Sequence, residues 1–134
     1  MIKKTITYRD FNDEERSETF YFNLTRAELS LWNLSVDGGL DSYMKVISEK
    51  RNGEQIVNAL TTILSKSYGE KSQDGKRLVK GPELYKAFTE TRAFDVLVME
   101  LLTDGEALAT FIDQVLDEDV KKAAPNLRIT NSDN

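Results

Sequence analysis

The sequence predicts an α+β domain, mainly α, in which an N-terminal β-hairpin precedes a bundle of about five helices with a short turn-rich insertion at 69–81. Three observations carry that expectation. Residues 1–24 alternate apolar and polar side chains with period two, residues 25–118 carry apolar stripes at helical spacing, and capping or turn residues mark where one stripe gives way to the next.

In the hairpin, Ile2, Ile6 and Tyr8 share one alternation and Phe20, Phe22 and Leu24 share another, with the polar run Asn12-Asp13-Glu14-Glu15 supplying the reversal. Lys4 interrupts the first alternation and so predicts an edge strand, where a Lys discourages pairing with other chains. Thr25-x-x-Glu28 is a capping box flanked by Leu24 and Leu29 as a hydrophobic staple, which starts a helix. That helix ends by Val36-Asp37-Gly38-Gly39, after which Leu40, Tyr43, Met44 and Ile47 form a second stripe and Ile56, Val57, Leu60, Ile63 and Leu64 a third, beyond Asn52-Gly53. These two helices are expected to pack antiparallel. Residues 69–81 are polar, and Asp74-Gly75 signals a tight turn within a small hairpin or ordered loop. Pro82 suits the first position of a helix, where its missing N–H costs nothing. Leu84, Tyr85 and Phe88 begin the apolar face of that helix, and 94–102 is apolar almost all round, as expected of a central helix. Thr103-x-x-Glu106 reads as a second capping box, opening a last helix with Leu108, Phe111, Ile112, Val115 and Leu116 on one face. The domain is thus expected to occupy 1–118, and 119–134 reads as a flexible polar tail with too few apolar residues to offset its ordering entropy.

Composition narrows the chemistry. The 134 residues include neither Cys nor His, which removes the disulfide framework, the thiolate nucleophile, the commonest transition-metal ligand and the usual proton carrier near neutral pH. No catalytic, cofactor-binding or metal-binding residue is assigned, and an enzyme is not expected. A formal charge of −5 and a pI near 4.8 argue against nucleic-acid binding, which needs clustered Lys and Arg. The apolar runs, such as Val96-Leu97-Val98-Met99, fall far short of the roughly 18 residues of a membrane span, so no membrane partner is expected.

Motifs that resemble ligand sites fail on spacing. Residues 69–77 approach the phosphate-binding pattern G-x-x-x-x-G-K-[ST], but five residues separate Gly69 from Gly75, Arg77 stands where a hydroxyl is required, and a helix is expected before the loop in place of a strand. Asp10-x-Asn12-x-Glu14 has the start of a calcium loop, with Glu15 at the glycine position and Tyr21 where a bidentate Glu belongs. Asp113 and Asp117 share a helix face as a solvated pair. Candidate partner contacts remain: Trp32 beside Leu31 and Leu34, the loop residues Glu70, Lys71, Asp74, Lys76 and Arg77, and the acidic run Asp117-Glu118-Asp119, the one concentration of charge in an otherwise interspersed pattern.

The order of the pieces resembles the tail assembly chaperones of long-tailed phages, especially those of Gram-positive hosts. The matching stretches are Thr5-Ile6-Thr7-Tyr8, Phe20-Tyr21-Phe22-Asn23-Leu24-Thr25-x-Ala27-Glu28-Leu29, Asp37-Gly38-Gly39-Leu40, Tyr68-Gly69-Glu70-Lys71-Ser72-x-Asp74-Gly75-Lys76-Arg77, Pro82-Glu83-Leu84, Phe88-x-x-Thr91-x-Ala93-Phe94 and Met99-Glu100-Leu101. The resemblance implies a non-enzymatic chaperone in the host cytoplasm, self-associating and absent from the finished virion. It would bind and solubilise the helical tape measure protein and bring tail tube protein to it. It further implies a longer frameshifted form that recruits the tube protein, with the Lys codons of Lys121-Lys122 as the candidate slippery site. The rival reading from another class is an acidic DNA-mimic inhibitor, or another small phage adaptor, bound to a host protein.

Overall fold

The computed structural model describes residues 1–49 and 53–116. Asp117-Glu118-Asp119, Lys121-Lys122, Asn52 and the expected tail lie outside the described residues. The described residues divide into two compact units, one of Met1–Asn23 with Leu64–Val115 and the other drawn from Leu24–Ile63 with Leu116.

The first unit is built on β1 (Ile2–Arg9), β2 (Glu15–Phe22), β3 (Tyr68–Lys71) and β4 (Leu78–Val79), antiparallel in the order β1-β2-β3-β4. The expected insertion at 69–81 is therefore the second half of one sheet: Tyr68 pairs with Phe22 and Gly69 with Tyr21. A Cβ on Gly69 would lie 2.5 Å from Leu78 Cγ, so the bare glycine lets β4 close over β3. The register Ile2↔Phe22, Lys4↔Phe20 and Ile6↔Glu18 gathers Ile2, Lys4, Ile6, Phe20 and Phe22 on one face. The other face carries Thr5 paired with Thr19 through their hydroxyls at 2.9 Å, and Tyr21 under the Lys71 ammonium at 4.7 Å. β1 is an edge strand as Lys4 predicts, and Lys4 reaches Glu100 at 3.0 Å.

Against the apolar face pack α4 (Pro82–Thr89), α5 (Arg92–Thr103) and α6 (Gly105–Val115). Pro82 opens α4 as expected, and the Thr91 hydroxyl caps α5 by accepting from Phe94 N at 3.2 Å. The junction after α5 corrects the expected capping box. The Asp104 carboxylate caps α6 by accepting from Glu106 N at 3.0 Å and Ala107 N at 3.2 Å, while the Thr103 hydroxyl donates back to Met99 O at 2.6 Å inside α5. At the core of this unit, fully buried Phe22 meets the rings of Phe111, Tyr68 and Phe88 at 5.2, 5.8 and 6.0 Å, and Tyr68 stacks on Phe88 at 4.3 Å.

The second unit contains α1 (Arg26–Ser35), α2 (Gly39–Glu49) and the greater part of α3 (Gly53–Ser67). The predicted capping box is present: the Thr25 hydroxyl accepts from Glu28 N at 3.1 Å and the Glu28 carboxylate accepts from Thr25 N at 2.9 Å. Gly38 and Gly39 turn the chain with φ of 79° and 75°. Asn33 locks that turn, its Oδ1 accepting from Leu40 N at 2.8 Å, and Trp32 meets Tyr43 edge to face at 5.3 Å. Leu24, Leu29, Trp32, Leu40, Ala59, Leu60, Ile63 and Leu116 are among its buried apolar residues.

Candidate binding surfaces

The loop between β3 and β4 orders itself. The Asp74 carboxylate accepts from the Ser72 hydroxyl at 2.7 Å and from Lys76 N at 3.0 Å, and these donors hold its pKa below the usual value, the backbone bond from Lys76 contributing most. Arg77 N donates to Ser72 Oγ at 3.0 Å, and Gly75 sits at φ 73°. Glu70 accepts from the Tyr68 hydroxyl at 3.1 Å, and burial, with the Glu70 charge adding to it, pushes the Tyr68 phenol well above its ordinary pKa. Glu70, Lys71, Asp74, Lys76 and Arg77 are all exposed. The helix expected before the loop, α3, ends at Ser67, Gly69 lies in β3, and the strand β4 follows the loop where a phosphate site needs a helix, so the strand–loop–helix frame is absent.

Asp10 organises the β1–β2 turn by accepting from Asn12 N at 2.8 Å and Glu14 N at 3.0 Å while pairing with Arg16 Nε at 2.5 Å. The Arg16 hydrogen bond, then the backbone bonds, hold the Asp10 carboxyl below its ordinary pKa. This is a hairpin reversal, and no group of three or more acidic side chains among the described residues is arranged to hold a metal ion.

Trp32 is 7% exposed, so the apolar surface of α1 is formed by its exposed neighbours Leu31 and Leu34. A second exposed apolar surface lies on α5. Ala93, Leu97 and Leu101 of that helix are buried, while Val96, Met99 and Leu102, spaced by three, are 39%, 52% and 44% exposed. One turn before Val96, the Arg92 guanidinium lies 5.2 Å from the ring of Phe11, itself 75% exposed in the hairpin turn. An apolar stripe thus runs from Phe11 past Arg92 along α5. The expectation of a helix buried on all sides fails here. Its signal was present in the sequence, since Asp95 and Glu100 flank the three-residue spacing.

The charge is also less evenly spread than the interspersed pattern expected. Residues 90–115 hold six acids (Glu90, Asp95, Glu100, Asp104, Glu106 and Asp113) and one base, Arg92, so the 23 acids and 18 bases of the chain leave 17 of each sign elsewhere. Asp104 and Glu106 also border a groove of about 320 Å³ whose floor includes Ile2, Leu101 and Phe111.

A small α+β domain without thiol or imidazole, bearing an exposed apolar stripe in an acidic setting, has the surface of a protein that binds other proteins. The chain matches the family described as phage tail assembly chaperone over residues 1–133, and it belongs to that family. Its role is a chaperone's, in the assembly of phage tails. No curated protein and no solved structure gives a significant match. No helix among the described residues is long and apolar enough to cross a membrane.

Proposed function

We propose that this chaperone binds the tape measure protein of a long-tailed phage of a Gram-positive host, keeps it soluble, and helps bring tail tube subunits to it, several copies acting on one client without catalysis. Family membership across 1–133 is the observation that carries this reading. The surface supports it in kind, because a long apolar helical client needs exposed apolar side chains to cover it, and helix-on-apolar-surface docking is a common recognition mode. A longer frameshifted form would supply the contact to the tube protein. Coexpression with the tape measure protein is the test. Recovery of a soluble complex by affinity capture is expected, and an insoluble client with no complex refutes the reading. For the longer form, the coding sequence at Lys121-Lys122 is expected to hold a slippery run with an overlapping downstream frame, and their absence refutes that part alone.

A further inference from the structure

We propose that the outer face of α5, the stripe Val96, Met99 and Leu102 with Phe11 at its head, docks an amphipathic helix whose apolar stripe is flanked by Lys and Arg. The proposal rests on the chaperone reading for its client and goes beyond it in locating the surface and stating the chemistry of what fits there.

Three observations converge on this face. From Arg92 to Leu102 the helix rises about 15 Å, enough to seat about three turns of a partner helix. Four of the large apolar side chains exposed in the chain lie along it, whereas their neighbours Leu97 and Leu101 are buried toward β1 and α6, so the stripe is left over once α5 has packed. The charge around it is mainly acidic: Asp95 and Glu100 flank the stripe, and Asp104 and Glu106 follow it in sequence. Two bases lie among them, Lys4, paired with Glu100, and Arg92, at the head of the stripe beside Phe11.

Charge complementarity selects the occupant. A second copy placed face to face on this stripe would oppose Asp95 and Glu100 with their own likes, which disfavours self-pairing here. A neutral apolar helix would satisfy the stripe and leave the acids unanswered. A helix with basic flanks satisfies both.

The test uses the full chain and two designed peptides of about 20 residues that share one Leu stripe, one flanked by Lys and the other by Glu. The Lys peptide is expected to bind the wild-type chain at least about tenfold more tightly than the Glu peptide, and to weaken between about 50 and 500 mM salt. Met99→Glu with Leu102→Glu is expected to weaken the Lys peptide about tenfold or more while circular dichroism and the urea midpoint stay near wild type, since both side chains are exposed. Should that pair disturb folding, Asp95→Lys with Glu106→Lys provides the second arm, with the peptide preference expected to reverse. Leu31→Glu with Leu34→Glu on α1 is expected to change nothing. Equal binding of both peptides, binding of neither, or an equal loss from the α1 variant overturns the proposal. A dimer that dissociates on Met99→Glu assigns the face to a second copy, and a tenfold gain on deleting residues 117–134 assigns it to the chain's own C-terminal residues; either result also overturns it. Capture of the tape measure protein that survives the α5 changes removes this surface and leaves the chaperone reading standing, whereas failure of the wild-type chain to capture it removes that reading.

Discussion

Phe11 and Phe22 lie on the same hairpin, and their truncation to alanine should separate the core from the surface of the first unit. Phe22 is fully buried and meets three rings at 5.2 to 6.0 Å, so Phe22→Ala removes a whole aromatic side chain from a site walled by Tyr68, Phe88 and Phe111. Burial and cavity terms for such a change come to about 3–5 kcal/mol, part of it from ring pairs worth roughly 0.5–1.5 kcal/mol each. Phe11 is 75% exposed and its ring contact is with Arg92, so Phe11→Ala forfeits at most the roughly 0.5–1 kcal/mol of an exposed cation–π pair. The difference of about 3 kcal/mol is a large share of the 5–15 kcal/mol typical of a domain, and with a urea slope near 1.5 kcal/mol/M it moves the midpoint by about 2 M. Urea unfolding followed by circular dichroism reads both variants. Phe22→Leu, which keeps most of the volume, should cost about 1 kcal/mol. Equal midpoints for Phe22→Ala and Phe11→Ala, with unchanged slopes, would refute the assignment of Phe22 as the centre of this core.

Four further outcomes are expected. Gly69→Ala should destabilise by about 1–3 kcal/mol through the 2.5 Å approach to Leu78 Cγ, and Gly69→Ala with Leu78→Ala should cost less than the two changes summed, which a double-mutant cycle measures. Asp104→Ala should cost about 1 kcal/mol as the loss of the α6 cap while Thr103→Ala costs less, the reverse order being evidence for a Thr103 cap. Asp10, its pKa lowered by Arg16 and the turn N–H groups, contributes stability present above its unfolded value of 3.8 and lost as pH falls through its folded value; Arg16→Gln should move the Asp10 titration, read by NMR, upward toward 3.8. Tyr68 is shifted the other way. Its folded state favours the neutral phenol, so as pH rises past 10.0 the unfolded chain ionises first and stability falls, and among the five tyrosines Tyr68 should ionise late in a spectrophotometric titration of the folded protein.

Local signals in the chain are strong where a backbone group must find a partner within a few residues. The Thr25-x-x-Glu28 box, Pro82 at the start of α4 and the Gly38-Gly39 turn are each written in adjacent residues, and each is found in place. What adjacent residues do not encode is which distant segment completes a sheet. Tyr68 follows a long helical stripe and pairs with Phe22 across 46 positions, a contact favoured by the burial of both rings, and the missing side chain at Gly69 then admits β4. The Thr103 expectation failed by one residue because Asp and Thr both cap, and the hydroxyl is drawn back to Met99 O instead. The α5 surface was obscured differently: with seven apolar side chains in the nine residues 94–102, only Asp95 and Glu100 hint at which side faces outward before α4, α6 and β1 take their places.

The concentration of acid on α5 and α6 changes what the net charge means. At physiological salt a charge is felt over about 8 Å, so a partner seated on α5 would meet Asp95, Arg92 and the Glu100–Lys4 pair before more distant charges. A formal charge of −5 spread evenly would favour solubility and nothing more; on the docking surface proposed above, acids beside Val96, Met99 and Leu102 would disfavour pairing with a second copy and favour a cationic helix. A chaperone that offers apolar surface to a client must do so without aggregating through it, and a mainly acidic border would serve that end without a lid or a moving part. Such a contact would also be releasable, because attraction between exposed charges is weak enough for a later partner that buries more apolar area to displace it.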